Sequence, residues 1–372
     1  MAEMARFHVL LYIHIPFCHR ICPYCSFYKH TPGATAIGDF IDALLKEATI
    51  RIPTLVEKPR TIFFGGGTPS MLSPFHLKKL IHGLQKQLDF SQLDEISLEA
   101  NPATFDEGKA TLFRELGISR ISLGIQSFSN HVLTTLGREH SAIEAEQSVK
   151  ILQAVGMPAV NIDLMFSIPG QSADDWRQTI TRAISLEPNH ISAYNLTYEE
   201  DTAFFQSLMA GEMQQDEETN HEHFFDADDL LTKAGFEHYE TSNYAKPGHQ
   251  SSHNRGYWKG ENYLGLGPSA VSTIDALRTK NIPDTAAYVE RIRQIGHATS
   301  ESESLDHEAL RLERLSMGLR TSEGIPLSLL EENGLQRAHV LAGFGLLEMG
   351  ENHLCLTKRG SALVDSIAGE IV

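Results

Sequence analysis

The residues best suited to chemistry are three cysteines near the start of the chain. Cys18, Cys22 and Cys25 fall within the eight residues CHRICPYC. The chain has only four cysteines in 372 residues, too few for a disulfide framework, and clustered cysteines more often bind metal. The fourth, Cys355, is expected to be a small buried side chain.

Two kinds of metal site remain open from this spacing. Tightly spaced cysteines can hold an iron-sulfur cluster. A structural zinc ion needs four ligands, and His14, His19 or His30 would be available as the fourth. The spacing favours the cluster without excluding zinc.

The elements that must position these cysteines are short strands alternating with amphipathic helices. Six β-branched-rich runs are predicted as strands, at residues 10–17, 61–64, 95–101, 120–126, 159–166 and 190–197. Six βα units in succession predict a parallel sheet with helices outside it. The periodicity alone leaves a doubly wound sheet and a barrel-like sheet equally open. In either, the loops after the strands carry the chemistry, and Cys18 begins such a loop.

Local signals mark where helices begin and end. Ser73 is predicted to cap one helix, and Thr104 with Glu107 and Ser141 with Glu144 resemble capping boxes. Gly117 and Gly156 stand where helices are expected to stop.

A glycine-rich turn follows the second predicted strand. Residues 65–69 read GGGTP, and glycines there allow a ligand to approach the backbone. The turn lacks the Lys-Ser/Thr pair of a P-loop and the later glycine of a dinucleotide fingerprint, so by itself it is weak evidence.

The chain changes in character after residue 200. An acidic helix is predicted within residues 216–236, followed by a glycine- and aromatic-rich segment at 252–270. From about residue 305 the order of helices and a short strand predicts a small winged-helix-like module.

Composition narrows the class of protein. The formal net charge of −17 would repel a phosphate backbone, so nucleic acid is not expected as a partner. No stretch approaches the roughly 20 apolar residues of a membrane span. The apolar run within residues 1–17 is interpreted as a buried strand, and the protein is expected in the cytoplasm.

Taken together, the cysteine spacing and the glycine-rich turn resemble the radical S-adenosylmethionine (SAM) superfamily. That resemblance implies three cysteines holding three irons of a 4Fe-4S cluster, whose fourth iron stays open for SAM. It also implies a partial (βα)6 TIM-like barrel, here followed by the small winged-helix-like α+β module.

The resemblance narrows to the branch that contains the oxygen-independent coproporphyrinogen III dehydrogenases (HemN) and the heme chaperones (HemW). It spans nearly the whole chain, through the segments YIHIPFC, FGGGTPSML, ISLEANP, LGIQSF and NIDLMFSIPGQ. It implies a set of SAM-contacting residues, each expected at or just after a strand end or beside the cluster. They are Tyr12, Tyr24, Gly66, Gly67, Thr68, Glu99, Gln126, Arg138 and Asp163.

Two departures separate this sequence from the dehydrogenases. Phe27 occupies the position of their additional cysteine, and only 17 residues precede Cys18, where the dehydrogenases carry an extension over the substrate. The run His253-Asn254-Arg255-Gly256-Tyr257-Trp258 matches the HNxxYW motif of the chaperones. The resemblance implies His253 as a heme ligand, although a structural role in shoring up a loop is the alternative.

The sequence therefore predicts a HemW-like heme chaperone that binds a 4Fe-4S cluster, SAM and heme and delivers heme to a hemoprotein such as a respiratory cytochrome. The alternative is coproporphyrinogen III dehydrogenase activity. Residues 1–235 are predicted as the barrel, 236–304 as an extension and 305–372 as the C-terminal domain. The heme acceptor is expected to be a protein, which is either membrane-associated or not. The chain itself is expected to have no membrane span and to form a monomer or a homodimer.

Overall fold

The structure, a computed structural model, describes residues 8–33 and 36–372. Its first part contains six parallel strands, each within two residues of its predicted ends. The strands are β1 (Val9–Ile15), β2 (Pro59–Gly66), β3 (Glu95–Ala100), β4 (Arg120–Gln126), β5 (Ala159–Phe166) and β6 (His190–Asn195). The helices between them are α1 (Ile37–Arg51), α2 (Pro74–Leu84), α3 (Glu107–Glu115), α4 (Asn130–Thr135), α5 (Ala142–Ala154) and α6 (Ala173–Ser185).

The order of these strands decides between the two predicted architectures. Strands β1 to β6 are neighbours in chain order, and every pair is parallel. A doubly wound sheet would reverse its strand order at a switch point, and this sheet does not. The barrel-like expectation is therefore confirmed. The barrel is partial, because β1 and β6 pair with other strands and not with each other.

Later elements extend the sheet at both edges. They are α7 (Ala203–Met209), α8 (Glu217–Lys233), β7 (Glu237–Glu240), β8 (Asn243–Ala245), α9 (Ser252–Trp258), β9 (Asn262–Leu266), β10 (Val271–Ile274), β11 (Leu277–Asn281), α10 (Thr285–Ile295) and β12 (Thr299–Ser304). Strand β8 pairs antiparallel with β6, and β9 pairs parallel with β1. The resulting sheet has 12 strands.

The last residues form a smaller unit with its own apolar core. Its elements are α11 (His307–Gly318), β13 (Ile325–Pro326), α12 (Glu332–Gly343), β14 (Leu347–Met349), β15 (His353–Leu356), α13 (Lys358–Ser361) and α14 (Val364–Ile371). Strand β15 lies between β13 and β14 in an antiparallel sheet, and residues between Leu315 and Ile371 form a core separate from that of the barrel. This arrangement agrees with the predicted winged-helix-like module.

The predicted domain boundaries remain a prediction, and residues 1–7 of the first predicted domain lie outside the described part of the chain. Among the described residues, the structure contains no helix long and apolar enough to cross a membrane.

Alternation along the strands separates the core from the lumen of the barrel. Residues such as Leu11, Ile13 and Ile62 point toward the helices and are fully buried in the main apolar cluster. Their neighbours, such as Thr61 and Ser97, are polar and point the other way. The face of the sheet that lines the lumen therefore carries polar side chains.

Most of the predicted helix ends are present. Ser73 accepts from the backbone N–H of His76, and Ser141 with Glu144 forms a capping box. The predicted box of Thr104 with Glu107 is wrong. Asp106 caps α3 instead, because its carboxylate accepts from the backbone N–H of Lys109.

Candidate functional site

The three cysteines lie on one closed loop at the end of β1. The backbone N–H of Cys18 donates to the His30 carbonyl at 3.0 Å, and the N–H of His30 donates to the Pro16 carbonyl at 2.8 Å. A further bond from the Cys25 N–H to the Cys22 carbonyl, 3.2 Å long, tightens the loop. All three thiols are half-buried and free. The loop therefore presents three potential metal ligands toward the barrel.

The three thiols are a donor set that fits an iron-sulfur cluster. Burial raises the pKa of Cys18 and of Cys25, and neighbouring thiols raise both further, so three thiolates need a compensating cation. Yet no three His, Cys, Asp or Glu side chains in the described residues converge closely enough to hold one ion. Both ring nitrogens of His14 and of His30 already have hydrogen-bond partners. Ligands spread over several irons fit this arrangement.

The fourth cysteine lies in the C-terminal unit. Cys355 is half-buried on β15, and its thiol donates to the Glu323 carbonyl at 3.4 Å. The expectation of a buried side chain is therefore wrong, because Cys355 is partly exposed.

The glycine-rich turn is held against the start of the cysteine loop. The N–H of Gly67 donates to the Ile15 carbonyl and the N–H of Thr68 donates to the Phe17 carbonyl, both at 2.8 Å. A Cβ atom at Gly67 would lie 2.7 Å from the Phe17 carbonyl oxygen, so only glycine fits. Because these N–H groups are engaged, the turn has mainly oxygen acceptors to offer. A methionyl ammonium group is a donor and needs such acceptors.

Asn101 links the turn to the far side of the cysteine loop. Its Nδ2 donates to Thr68 Oγ1 at 3.1 Å, and its Oδ1 accepts from Arg138 Nη2 at 2.6 Å. Thr68 Oγ1 in turn lies 3.6 Å from Cys18 Sγ, and Arg138 Nη1 lies 3.7 Å from Cys22 Sγ. One amide thus orients two side chains that donate to cysteine sulfur.

Gln126 and Arg138 meet beside Gly124. A Cβ atom at Gly124 would lie 3.1 Å from Gln126 Nε2 and 3.5 Å from Arg138 Nη2. Gln126 ends β4 with a φ of 69°, a left-handed conformation that is uncommon outside glycine and recurs at binding sites. Arg138 is not at a strand end as expected, because it follows helix α4. Its Nε is buried and has no partner among the described residues.

Two carboxyl groups face each other in the lumen. Burial and the nearby Asp163 together raise the pKa of Glu99 to about 8, even though the N–H of Gly66 donates to Glu99 Oε2 at 3.0 Å. Burial also raises the pKa of Asp163, which lies within β5 and accepts from Ser122 Oγ at 2.8 Å. Two neighbouring carboxyl groups suit a ligand that brings hydroxyl or amino groups, such as a ribose or an adenine.

One of the two tyrosines lies on β1 and the other on the cysteine loop. Tyr12 is on β1, and its hydroxyl lies 3.0 Å from His14 Nδ1. Tyr24 is on the loop itself and packs against Phe204 at 6.2 Å between ring centroids. Burial raises the pKa of both phenols, so both stay neutral. The predicted SAM-contacting residues therefore converge around the cysteine loop and the lumen.

His253 lines a separate, aromatic cavity of about 340 Å³. The cavity, called here the aromatic cavity, is lined by Tyr12, His14, Phe27, Tyr28, Phe63, His253, Asn254, Tyr257, Tyr263, Ser269, Ala270 and Val271. Phe27, which takes the place of the dehydrogenases' cysteine, is 67% exposed there. Tyr12 borders both this cavity and the lumen, so a ligand here would lie close to one bound at the cluster.

The ring of His253 is suited to bind a metal-containing ligand. Its Nδ1 lies 2.7 Å from Thr61 Oγ1, and its Nε2 is buried without a partner among the described residues. Phe63 stacks on the ring at 5.1 Å. Burial lowers the pKa of His253 to about 4, so the ring is neutral near pH 7. When Nδ1 donates to Thr61, Nε2 presents a lone pair.

A buried acid at the foot of the barrel fixes the helix that carries His253. Glu95, the first residue of β3, accepts from Ser251 Oγ at 3.0 Å and from the N–H of Ser252 at 2.9 Å, both at the start of α9. Arg120, the first residue of β4, donates to Glu95 Oε2 at 3.1 Å. This ion pair anchors α9 and so sets the position of the histidine.

Sequence reasoning missed Asn101, Thr61 and Glu95. For Asn101 a signal exists, because it follows Glu99 by two residues and so shares its face of the chain. Thr61 and Glu95 carry no such signal, because their partners lie on α9, far away in sequence.

The sequence is similar to that of known proteins over most of its length. Residues 12–183 match the family model of the Radical SAM superfamily. The protein named "Heme chaperone HemW" of Bacillus subtilis is 32% identical over 96% of this chain and 97% of its own length. The protein of the same name from Escherichia coli is 38% identical over 71% of this chain and 70% of its own length.

One solved structure shares the fold over nearly the whole chain. The coproporphyrinogen III oxidase HemN of Escherichia coli, described as a radical SAM enzyme, has a TM-score of 0.85 with 22% identity. The match covers 98% of this chain and 90% of that one. At this identity the likeness establishes the fold.

Proposed function

The chain belongs to the HemW family of the radical SAM superfamily, and from that membership we propose that it is a heme chaperone that also binds a 4Fe-4S cluster and SAM. The residues that would hold each group lie in adjoining parts of one barrel.

Cys18, Cys22 and Cys25 would each bind one iron of the cluster. When bound, the cluster supplies an open iron for the amino and carboxylate groups of SAM. Thr68 and the carbonyls of Gly66 and Gly67 would accept from the ammonium group.

The rest of SAM would be held by charge and hydrogen bonding. Arg138 has an unpartnered Nε for a carboxylate, and Gln126 lies beside it. Glu99 and Asp163 would accept from the ribose and the adenine. Tyr12 and Tyr24 would flank the bound molecule.

The heme proposal depends on one observation, the unpartnered Nε2 of His253 beside the aromatic cavity. An imidazole nitrogen is a common axial ligand of heme iron, and the aromatic walls provide the apolar contact that a porphyrin face needs. Phe27 at the mouth adds to this apolar surface. We propose delivery to an acceptor hemoprotein such as a respiratory cytochrome, from the cytoplasm.

The test is an anaerobic hemin titration of the cluster-loaded protein, read in the Soret band. His253→Ala should lose at least about tenfold in hemin affinity while the iron and sulfide of the cluster stay unchanged. His223→Ala is a matched control, because His223 is also buried with no hydrogen-bond partner among the described residues but packs on Trp176. Equal losses in both variants, or none in His253→Ala, would refute the heme site.

A parallel assay addresses the enzymatic alternative. The same protein is given SAM, a reductant and coproporphyrinogen III. We expect saturable hemin binding at the His253 site without multiple-turnover formation of protoporphyrinogen IX. Repeated turnover would make the chain a dehydrogenase despite Phe27.

A further inference from the structure

A second, larger cavity lies on the opposite face of α9. It has a volume of about 750 Å³ and lies between α9, α11 and residues 321–329 of the C-terminal unit. We call it the interdomain cavity. On α9, His253 and Tyr257 face the aromatic cavity, whereas Arg255 and Trp258 line the interdomain cavity. One short helix therefore separates two cavities.

The interdomain cavity carries an excess of positive charge. Arg255, Lys259 and Arg314 line it, against the single carboxylate of Glu323. Glu323 pairs with Arg255 and, at 3.3 Å, with Lys259. Arg314 makes no ion pair or side-chain hydrogen bond within the described residues. The net excess is two positive charges in a chain whose formal charge is −17, so a ligand with two negative charges would balance it.

The interdomain cavity has polar and apolar walls, and part of the apolar wall is aromatic. Trp258, Ile325 and Leu329 line it together with Tyr239. The indole Nε1 of Trp258 is buried and has no hydrogen-bond partner in the described part of the chain. An indole N–H left unpaired in this way is a donor that a ligand can satisfy. Among the residues that the structure describes, neither a histidine nor a cysteine lines the cavity, so these residues offer no soft ligand for a metal.

We propose that the interdomain cavity binds a planar organic dicarboxylate whose ring system packs on Trp258 and whose carboxylates pair with Arg314 and with the Arg255–Lys259 side. The inference rests on the proposed function, since heme belongs to this class and carries two propionates. The cavity recognises carboxylates and an apolar face, not iron. It is therefore a second cargo site, one helix away from His253.

The probe is iron-free protoporphyrin IX, titrated into the full-length, cluster-loaded protein and followed by its absorbance. Without iron the porphyrin cannot bind through His253, so the effects of variants at Arg314 and Trp258 show which part of its binding belongs to the interdomain cavity. Arg314→Gln should weaken binding at least about tenfold, because a charge-assisted pair is lost. Trp258→Phe should weaken it as well, and the dimethyl ester of the porphyrin should bind at least about tenfold more weakly than the free acid.

Two control variants make the result specific. Arg293→Gln removes an arginine that pairs with Asp39 on the surface of the barrel and should leave binding unchanged. His253→Ala should also leave it unchanged. Equal binding by the wild type and Arg314→Gln, or loss of binding in His253→Ala, would overturn the second site.

The outcome is separable from that of the proposed function. If hemin binding depends on His253 but porphyrin binding does not depend on Arg314, the chaperone proposal stands and the second site is refuted. If porphyrin binding depends on Arg314 but hemin binding does not depend on His253, the second site stands and the heme site at His253 is refuted.

Discussion

The free ring nitrogen of His253 depends on a single hydrogen bond. Thr61 engages Nδ1, so the opposite nitrogen can carry a lone pair in a wall of aromatic rings. Asn101 has a comparable effect on the cysteine loop, because its one amide orients Thr68 and Arg138. Thr61 and Asn101 therefore act through the side chains that they orient.

Heme binding through His253 should be insensitive to mild acid. Burial lowers the pKa of His253 to about 4, against about 6.5 for an exposed histidine, so protons do not compete for Nε2 until the pH nears 4. We expect equal hemin affinity from about pH 8 to about pH 5. The unfolded chain takes up this proton below about 6.5, so His253 costs the apoprotein stability as the pH falls from there toward 4. Soret titrations across this range check the prediction, and half-loss of binding near pH 6.5 would contradict it.

Asn101→Leu should change the cluster without removing it. All three cysteines remain, so iron and sulfide content should stay constant. The donors Thr68 and Arg138 would lose their common anchor, and weaker hydrogen bonds to sulfur lower a cluster's reduction potential. We expect a fall of roughly 60 mV, a tenfold change for one electron, in a redox titration followed by electron paramagnetic resonance. Asn262→Leu, at a surface pair with Asp275, is the control and should not shift the potential.

Strand ends and glycine turns bring distant side chains together at the scale of the elements. Strand β4 is the main example, since Gly124 leaves the space in which Asn101, Gln126 and Arg138 meet. Helix α9 is another, because its N-terminal turn is fixed by a buried ion pair at the start of β3 and β4. The paths of the strands and helices therefore bring together side chains that are far apart in the sequence.

Gly124→Ala should fold yet bind SAM at least about tenfold more weakly. The backbone at Gly124 does not have a positive φ, so alanine is tolerated there. The new Cβ atom would lie 2.9 Å from Asn101 Oδ1 and 3.1 Å from Gln126 Nε2, so these side chains must move away. Isothermal titration of the cluster-loaded protein with SAM measures the loss. Gly108→Ala, whose nearest atom is Asp106 Oδ1 at 3.5 Å, is the control, and equal SAM affinity in both variants would refute the argument.

Local patterns were sufficient to predict the strands and most helix ends, because alternation and capping act over a few residues. The cysteine loop was predictable for the same reason. The positions of Arg138 and of the α3 cap were not, since a short helix intervenes before Arg138 and two acceptors compete at α3. The strand order followed from the family resemblance alone, because periodicity does not encode which strands pair.

At the scale of the whole molecule, backbone hydrogen bonds and an ion pair hold the C-terminal unit against the barrel. The N–H of Thr241 donates to the Arg320 carbonyl at 2.8 Å, and the N–H of Ser322 donates to the Tyr239 carbonyl at 3.0 Å. Lys358 adds an ion pair to Asp228 on α8 at 2.6 Å. The interdomain cavity therefore exists only while the two units are docked.

Lys358→Met should weaken this docking modestly. Asp228 is nearly buried and would lose one cationic partner, although His238 Nδ1 stays at 2.9 Å. Because Lys358 is partly exposed, the expected fall in the free energy of unfolding is about 1 kcal/mol. Denaturant unfolding followed by circular dichroism measures it. Lys280→Met removes an exposed pair with Glu301 at 3.7 Å and should have almost no effect, so equal falls would argue against a docking role for Lys358.

The pairing of β1 with β9 has a consequence for biosynthesis. Val9 is opposite Asn262, so one edge of the first strand stays unpaired on the ribosome until most of the chain has emerged. Tyr263 and Val271, which help to enclose the aromatic cavity, arrive equally late. A truncated or nascent chain can therefore display its cysteine loop before it can enclose a porphyrin, and cargo loading must wait for the completed polypeptide.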